Sequence, residues 1–245
     1  MVSPLVTVVV PSFNQGQFLD AALTSIFDQN VAVEVFVMDG GSTDNSVDVI
    51  EKWESRLAGW VSAPDEGQAA AINSGMAQGT APYVCWLNSD DWLLHNGLQQ
   101  LVNALQSTPK APMAYGKTMD FFNNKQKLRR ALVLPFSEWL MARVCVLSQP
   151  GTLMRRTCWE HVGGLNAQLH MAMDYDLWWR IYKACGKPLM VHELVAVNRV
   201  HDATKTNTQR RRHYAEAMAV VRQHYGSVPW KWWLAQPYAV WWRAR

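Results

Sequence analysis

Two adjacent carboxylates, Asp90 and Asp91, follow the apolar run Tyr83-Val84-Cys85-Trp86-Leu87, with only Asn88 and Ser89 between. The run is of strand length, and in an open α/β sheet the carboxyl end of a buried strand is where ligands sit. Two acids there repel each other and lose hydration unless a cation stands between them and the ligand. A hard divalent metal fits that need, because Mn2+ or Mg2+ takes carboxylate oxygens and bridges to phosphate oxygens. A bare Asp-Asp is also what a solvated loop after a strand contains, so the rest of the chain has to decide.

The elements before it alternate. Leu5 to Val10 is β-branched and almost continuously apolar, as a strand buried on both faces would be. Pro11 ends it, and Ser12-Phe13-Asn14-Gln15-Gly16 reads as a loop before a helix with Phe18, Ala22, Ile26 and Phe27 on one stripe. A second strand, Val33 to Met38, stops at Asp39. Gly40-Gly41-Ser42-Thr43-Asp44 then turns, and Thr43 or Asp44 caps a helix with the stripe Val47, Ile50 and Trp53. The short strand Trp60-Val61-Ser62 leads to Pro64-Asp65-Glu66-Gly67, and a helix spans Gln68 to Met76. Strands alternating with helices over short links predict a parallel sheet wound with helices. Asn14, Asp39 and Asp90-Asp91 then share one edge and form a nucleotide-sized crevice. Neither Gly-x-Gly-x-x-Gly nor Gly-x-x-x-x-Gly-Lys-Ser/Thr occurs, which argues against a dinucleotide dehydrogenase and a P-loop nucleotidase.

The second half is less regular. Met113 to Gly116 predicts a strand, Phe121 to Gln126 a turn, and Leu194 to Val197 another short strand. Met171 to Arg180 has a helical spread of apolar residues with Asp174 and Asp176 at its start. In a helix those two acids point about 200° apart, so only one of them can face a cleft. Asn207 to Tyr225 predicts a helix with the stripe Tyr214, Met218, Val221 and Tyr225. Trp230-Lys231-Trp232-Trp233-Leu234 and Tyr238 to Arg245 follow, tryptophan beside Lys and Arg, as in membrane-interface segments. A tail folded back on the domain or an oligomer contact is the alternative.

An apolar content of 49% against 18% charged residues describes a packed globular chain. The net charge of +3 is uneven: from Ala196 onward nine Lys/Arg face only Asp202 and Glu216, leaving a surplus of four acids before it. Basic charge is thus a C-terminal feature, and nucleic-acid binding gains little support. Cys85, Cys145, Cys158 and Cys185 make no Cys-x-x-Cys pair and predict reduced core thiols in a cytosolic compartment. Met1 runs straight into a strand-length segment without a signal peptide, and no apolar stretch reaches the roughly 18 residues of a membrane span. The expected location is cytoplasmic, with the tail peripheral on the cytoplasmic face of the membrane.

In order along the chain stand Val10-Pro11-Ser12-Phe13-Asn14, Met38-Asp39-Gly40-Gly41-Ser42-Thr43-Asp44, Trp86-Leu87-Asn88-Ser89-Asp90-Asp91 and Met173-Asp174-Tyr175-Asp176-Leu177-Trp178-Trp179-Arg180, with Pro64-Asp65-Glu66-Gly67-Gln68 a weaker fifth block. This ordered set resembles family 2 glycosyltransferases with the GT-A fold, over about Leu5 to Lys205. The resemblance implies an α/β nucleotide-binding, mainly parallel sheet flanked by helices, an acceptor-binding second half and a C-terminal helical tail. It divides the chain into a transferase domain, 1–206 (nucleotide-sugar half 1–110, acceptor half 111–206), and a tail, 207–245. It further implies an inverting, metal-dependent transferase (Mn2+ or Mg2+) that takes a nucleotide sugar, UDP-linked by expectation, and a saccharide or polyprenyl-linked acceptor. Asp39 would hold base or ribose, with the Pro11 to Asn14 loop, Gly41, Asp65 and Gln68 around the nucleotide. Asp90 matches the metal-binding acid of the family's Asp-x-Asp motif, Asp91 is a ligand or its support, and His201 closes on metal or diphosphate, with Lys205 on phosphate. Asn88 departs from the pattern, where the first Asp of that motif is often found; it and Ser89 can still hydrogen-bond the nucleotide sugar. Asp174 matches the catalytic base, with Asp176 its rival. Trp86, Gln149, Trp178 and Trp179 either line the sugar and acceptor sites or, for the Trp pair, belong to the core. A sugar nucleotidyltransferase and a binding module without turnover are the competing readings.

Overall fold

The computed structural model describes residues 3–202, 204–237 and 240. Its first half alternates as expected: β1 (Val6–Ser12), α1 (Gly16–Phe27), β2 (Val33–Asp39), α2 (Ser46–Trp53), β3 (Gly59–Ser62), α3 (Gln68–Gln78) and β4 (Tyr83–Trp86). A two-residue β5 (Trp92–Leu93) and α4 (Gly97–Ser107) follow. The second half holds β6 (Met113–Phe122), β7 (Lys127–Arg130), α5 (Glu138–Met141), β8 (Thr152–Arg155), α6 (Arg156–His161), α7 (Met173–Cys185) and β9 (Leu189–Val200). Three helices close the described chain: α8 (Lys205–Thr208), α9 (Arg210–Tyr225) and α10 (Trp230–Pro237).

Among the described residues the strands form one sheet in the order β3-β2-β1-β4-β8-β6-β9-β5, with β7 paired to β6. The first four are parallel, as the short strand–helix links require. β8 then runs antiparallel to both β4 and β6, while β9 runs parallel to β6. Alternation along β1 sends Val6, Val8 and Val10 to one core with α1, α2 and α4, and Val9 to the other with α3, α6, α7 and α9. Both faces of the strand are covered, which is why its sequence is continuously apolar. The parallel strands end together, and their loops make one rim of the molecule.

Two expectations are corrected. The helix expected from Asn207 begins at Arg210, because Gln209 leaves helical geometry (φ −121°, ψ 38°) where its N–H closes α8 on the Lys205 carbonyl. The four cysteines are not all thiols: Cys158 and Cys185 are disulfide-bonded, with Cα atoms 6.4 Å apart, while Cys85 and Cys145 are free. The partners lie 27 residues apart and meet only because α6 packs on α7, so no short motif announces them. The thiol argument for a reducing compartment therefore falls. Trp178 and Trp179 are fully buried and belong to the core. Of the Trp-rich tail, Tyr238, Ala239 and 241–245 lie outside the described residues.

Candidate active site

The loops after β1, β2 and β4 face the segment before α7 and the end of β9 across a cleft of about 790 Å³. That is within the range of small-molecule sites, roughly 300–1,000 Å³. Its wall carries Pro11, Phe13, Asn14, Asp65, Gln68, Asn88, Ser89, Asp90 and Lys205, and also Asp174 from the second half. Asp39, Gly41, Asp91 and His201 are not on the wall.

Asp39 is buried behind it, and its carboxylate organises the turn after β2. Oδ2 accepts from the Gly41 and Ser42 N–H groups (3.2 and 2.8 Å) and from the Ser62 hydroxyl (2.8 Å), while Oδ1 accepts from the Ser42 hydroxyl. Gly41 has φ +81°, and a Cβ there would stand 3.1 Å from the Pro64 nitrogen, so the turn needs glycine. Asn14, at φ 53°, ties the β1 loop to this turn by accepting from the Thr43 N–H at 2.9 Å. The turn brings Gly40 and Asp65 together, and Phe13 remains 60% exposed at the edge.

Asn88 sits at the centre of a polar network. Its Oδ1 accepts from Gln68 (2.8 Å), and its amide donates to Asp91 Oδ2 (3.1 Å) and to Gln149 Oε1 (3.2 Å). Gln149 donates in turn to the Trp86 carbonyl, and Lys205 donates to Gln68 Oε1, both at 2.8 Å. Asp91 is 2% exposed, with its other oxygen taken by the Arg199 N–H at 2.8 Å. Burial, with the Asp90 charge beside it, pushes its carboxyl well above the usual range. An aspartate at 88 would remove the donor that Asp91 needs and add a third negative charge.

Asp90 Oδ2 stands 3.0 Å from His201 Nε2, and the Arg199 guanidinium donates to the Asp90 carbonyl at 2.9 Å. Phe18 packs on the His201 ring at 5.0 Å, and Arg199 lies over Phe18, Trp92 and Phe121. Burial lowers the Arg199 pKa against the pull of Asp90 and Asp91. Among the described residues no group of three or more His, Cys, Asp or Glu could by itself hold a metal. One carboxylate and one imidazole are the partial donor set that Mg2+ and Mn2+ accept when phosphate oxygens and water complete the shell, so the residues fit such an ion.

Asp174, near the start of α7, lines the cleft, and burial pushes its carboxyl up to about 6. Asp176 faces away, 2.7 Å from Arg180 Nε and 2.8 Å from His224 Nε2. Burial would raise its pKa, but those partners hold it below the usual range. Sequence reasoning missed His170, Met171 and Arg199 on the wall. Arg199 had one readable signal, a cation two residues before His201 at the end of a strand-like run. His170 and Met171 had none, because their place depends on packing against α9.

Comparisons with known proteins bear on the family and the fold. An uncharacterized glycosyltransferase of Rickettsia typhi is 25% identical over 222 residues, covering 84% of this chain and 67% of that protein. Chondroitin synthase of Pasteurella multocida is 22% identical over 86% of this chain, which spans only 22% of that protein. Among solved structures, S. aureus TarS 1-349 in complex with UDP-GlcNAc superposes with a TM-score of 0.73 at 15% identity, covering 90% of this chain and 66% of that one. The mannosyltransferase PcManGT of Pyrobaculum calidifontis, in complex with GDP-Man and Mn2+, gives 0.67 at 20% identity, covering 89% and 65%. These neighbours share a GT-A-type fold with this chain. The profile of glycosyl transferase family 2 matches residues 7–160, and the chain belongs to that family.

Proposed function

We propose that this chain transfers a sugar from a nucleotide-diphospho sugar, UDP-linked by expectation, to a hydroxyl of a saccharide or lipid-linked saccharide, with inversion at the anomeric carbon. One observation carries the reading: Asp90 in the loop after β4 and Asp174 on α7 line the same cleft. Residues 1–206 make the transferase unit, 1–110 binding the nucleotide sugar and 111–206 the acceptor, with 207–245 as the C-terminal tail. Support for the nucleotide sugar comes from neighbours that bind UDP-GlcNAc and GDP-Man.

Pro11, Phe13, Asn14, Asp65 and Gln68 receive the nucleotide, with Asp39 and Gly41 shaping the turn beneath it. Asn88 and Ser89 contact the sugar nucleotide, and Lys205 its phosphates. Asp90 and His201 would hold Mn2+ or Mg2+, with Asp91 bracing Asp90 from behind. Such an ion, when bound, neutralises the charge that develops on the departing diphosphate. Asp174 takes the proton of the acceptor hydroxyl. The oxygen attacks the anomeric carbon as its bond to the diphosphate oxygen breaks on the opposite side, so one displacement inverts the centre. A carboxyl with a pKa of about 6 is a stronger base than an ordinary aspartate and is still ionised at neutral pH.

No described helix is long and apolar enough to cross a membrane. On α10, Trp230, Trp233 and Leu234 are exposed on one face, beside Lys231, while Trp232 turns inward to donate to the Ala142 carbonyl at 2.8 Å. That amphipathic face supports peripheral contact with an anionic membrane surface. Nucleoside diphosphate release from UDP-GlcNAc and GDP-Man, with and without Mn2+, tests the reaction. Binding without turnover in the wild-type protein would make the chain a sugar-nucleotide binder instead.

A further inference from the structure

The backbone just before Asp174 is held by a helix outside the cleft. The α7 N-cap, Ala172, contributes no side-chain cap. Glu216, 44 residues further along on α9, holds the segment that leads into the helix: its Oε2 accepts the backbone N–H groups of His170, Met171 and Ala172 at 3.0, 2.7 and 3.2 Å. Its Oε1 pairs with Arg212 at 2.9 Å, on the same helix. Burial would raise the Glu216 pKa, but the three N–H groups and Arg212 hold it below the usual range, as expected of a carboxylate at a helix start. A second tie lies one helical stretch further on. His224 Nε2 meets Asp176 Oδ1 at 2.8 Å, and Lys183 donates to the His224 carbonyl.

The two ties flank Asp174 in sequence, at 170–172 and at 176. The cleft residues His170 and Met171 are themselves the backbone that Glu216 grips. Ala217, Val220 and Val221 of α9 share the apolar cluster of Trp178 and Trp179, so the helix that carries Glu216 is anchored in the core. We propose that Glu216 is a positioning residue for Asp174, holding the 170–172 segment so that the carboxylate projects into the cleft. The proposal rests on reading Asp174 as the base. A displacement of a reacting group by about 1 Å can cost on the order of 10²-fold in rate. A helix cap alone would cost only about 1 kcal/mol of stability and leave the chemistry untouched.

The test uses the full chain and whichever of UDP-GlcNAc or GDP-Man the wild type turns over. Glu216→Ala is expected to lower kcat roughly 10- to 100-fold while KM for the donor stays within about twofold, the signature of an interaction that matters in the transition state rather than in donor binding. Backbone hydrogen exchange is expected to accelerate at 170–172 and to stay slow in the middle of α7. Glu216→Gln keeps the shape and one acceptor oxygen and is expected to lose only about three- to tenfold in kcat. It carries the same test should the alanine variant fail to fold. A kcat within twofold of wild type in both folded variants overturns the proposal, as does a loss that tracks the folded fraction alone. Asp174→Asn alongside keeps the two readings apart: unchanged turnover there sinks the base, whereas lost turnover there with untouched Glu216 variants sinks only the positioning role.

Discussion

Asp174 and Asp176 stand two residues apart on α7 and meet opposite surroundings: one lines the cleft, and the other is locked between Arg180 and His224. The difference separates a carboxyl open to the cleft from one whose charge is already compensated.

For Asp174→Asn, turnover is expected to fall by ~10²–10⁴-fold with donor affinity kept. The wild-type kcat/KM should decline as pH drops through about 6, where Asp174 becomes protonated. Stability should move the other way. Because the folded pKa is raised, ionising Asp174 at pH 8 opposes folding, so the asparagine variant is expected to be more stable there, on the order of 2 kcal/mol. The gain should vanish below pH 4, where both states are protonated. Melting curves at pH 8 and pH 4 check it, and equal stability at both would contradict the burial of this carboxyl.

Asp176→Asn should do the reverse. Removing one partner of a buried ion pair costs about 3–5 kcal/mol, and Arg180 and His224 then lose their countercharge. Its folded pKa is depressed, so this stability is present above the ordinary aspartate pKa and lost as pH falls through the lower folded value. Urea titrations at pH 7.5 and at about pH 2.5, below the ordinary aspartate pKa, should show the gap between wild type and variant narrowing. Turnover per folded molecule should fall less than for Asp174→Asn; a larger fall with intact stability would move the base to Asp176.

Asn88→Asp restores the acid of the Asp-x-Asp pattern and should nonetheless destabilise the protein. It deletes the 3.1 Å donor to buried Asp91 and sets a third carboxylate beside Asp90. An unsatisfied buried group costs about 1–3 kcal/mol. An added carboxylate repels its acidic neighbours most when it is charged, so the penalty should be largest at pH 8 and ease toward pH 5. A variant as stable as wild type at pH 8 in metal-free buffer would show that the Asn88 network is dispensable.

The exposed face of α10 gives a prediction about lipid. Co-sedimentation with vesicles containing phosphatidylglycerol should exceed that with phosphatidylcholine alone and weaken with salt. Replacing Trp230, Trp233 and Leu234 together by alanine should cost roughly tenfold or more in partitioning. Indifference to both lipid charge and the triple substitution would leave α10 as a contact with protein.

The sequence by itself determined the alternation of the first half and the common rim on which Asn14, Asp39 and Asp90 arrive, because continuously apolar strands on short links have only a parallel solution. It also carried the family, because motif order survives where identity is low. Tertiary structure decided the rest. Asp39 and Asp91 are buried braces rather than wall residues, a difference set by which oxygen finds which N–H across loops 3 to 108 residues apart. The disulfide depends on α6 meeting α7, and the setting of Asp174 depends on Glu216 from a helix that the motifs do not include. Local pattern fixes elements because propensity and burial act over a few residues. Long-range contacts, made only when the chain closes on itself, fix which side of a wall a carboxylate occupies.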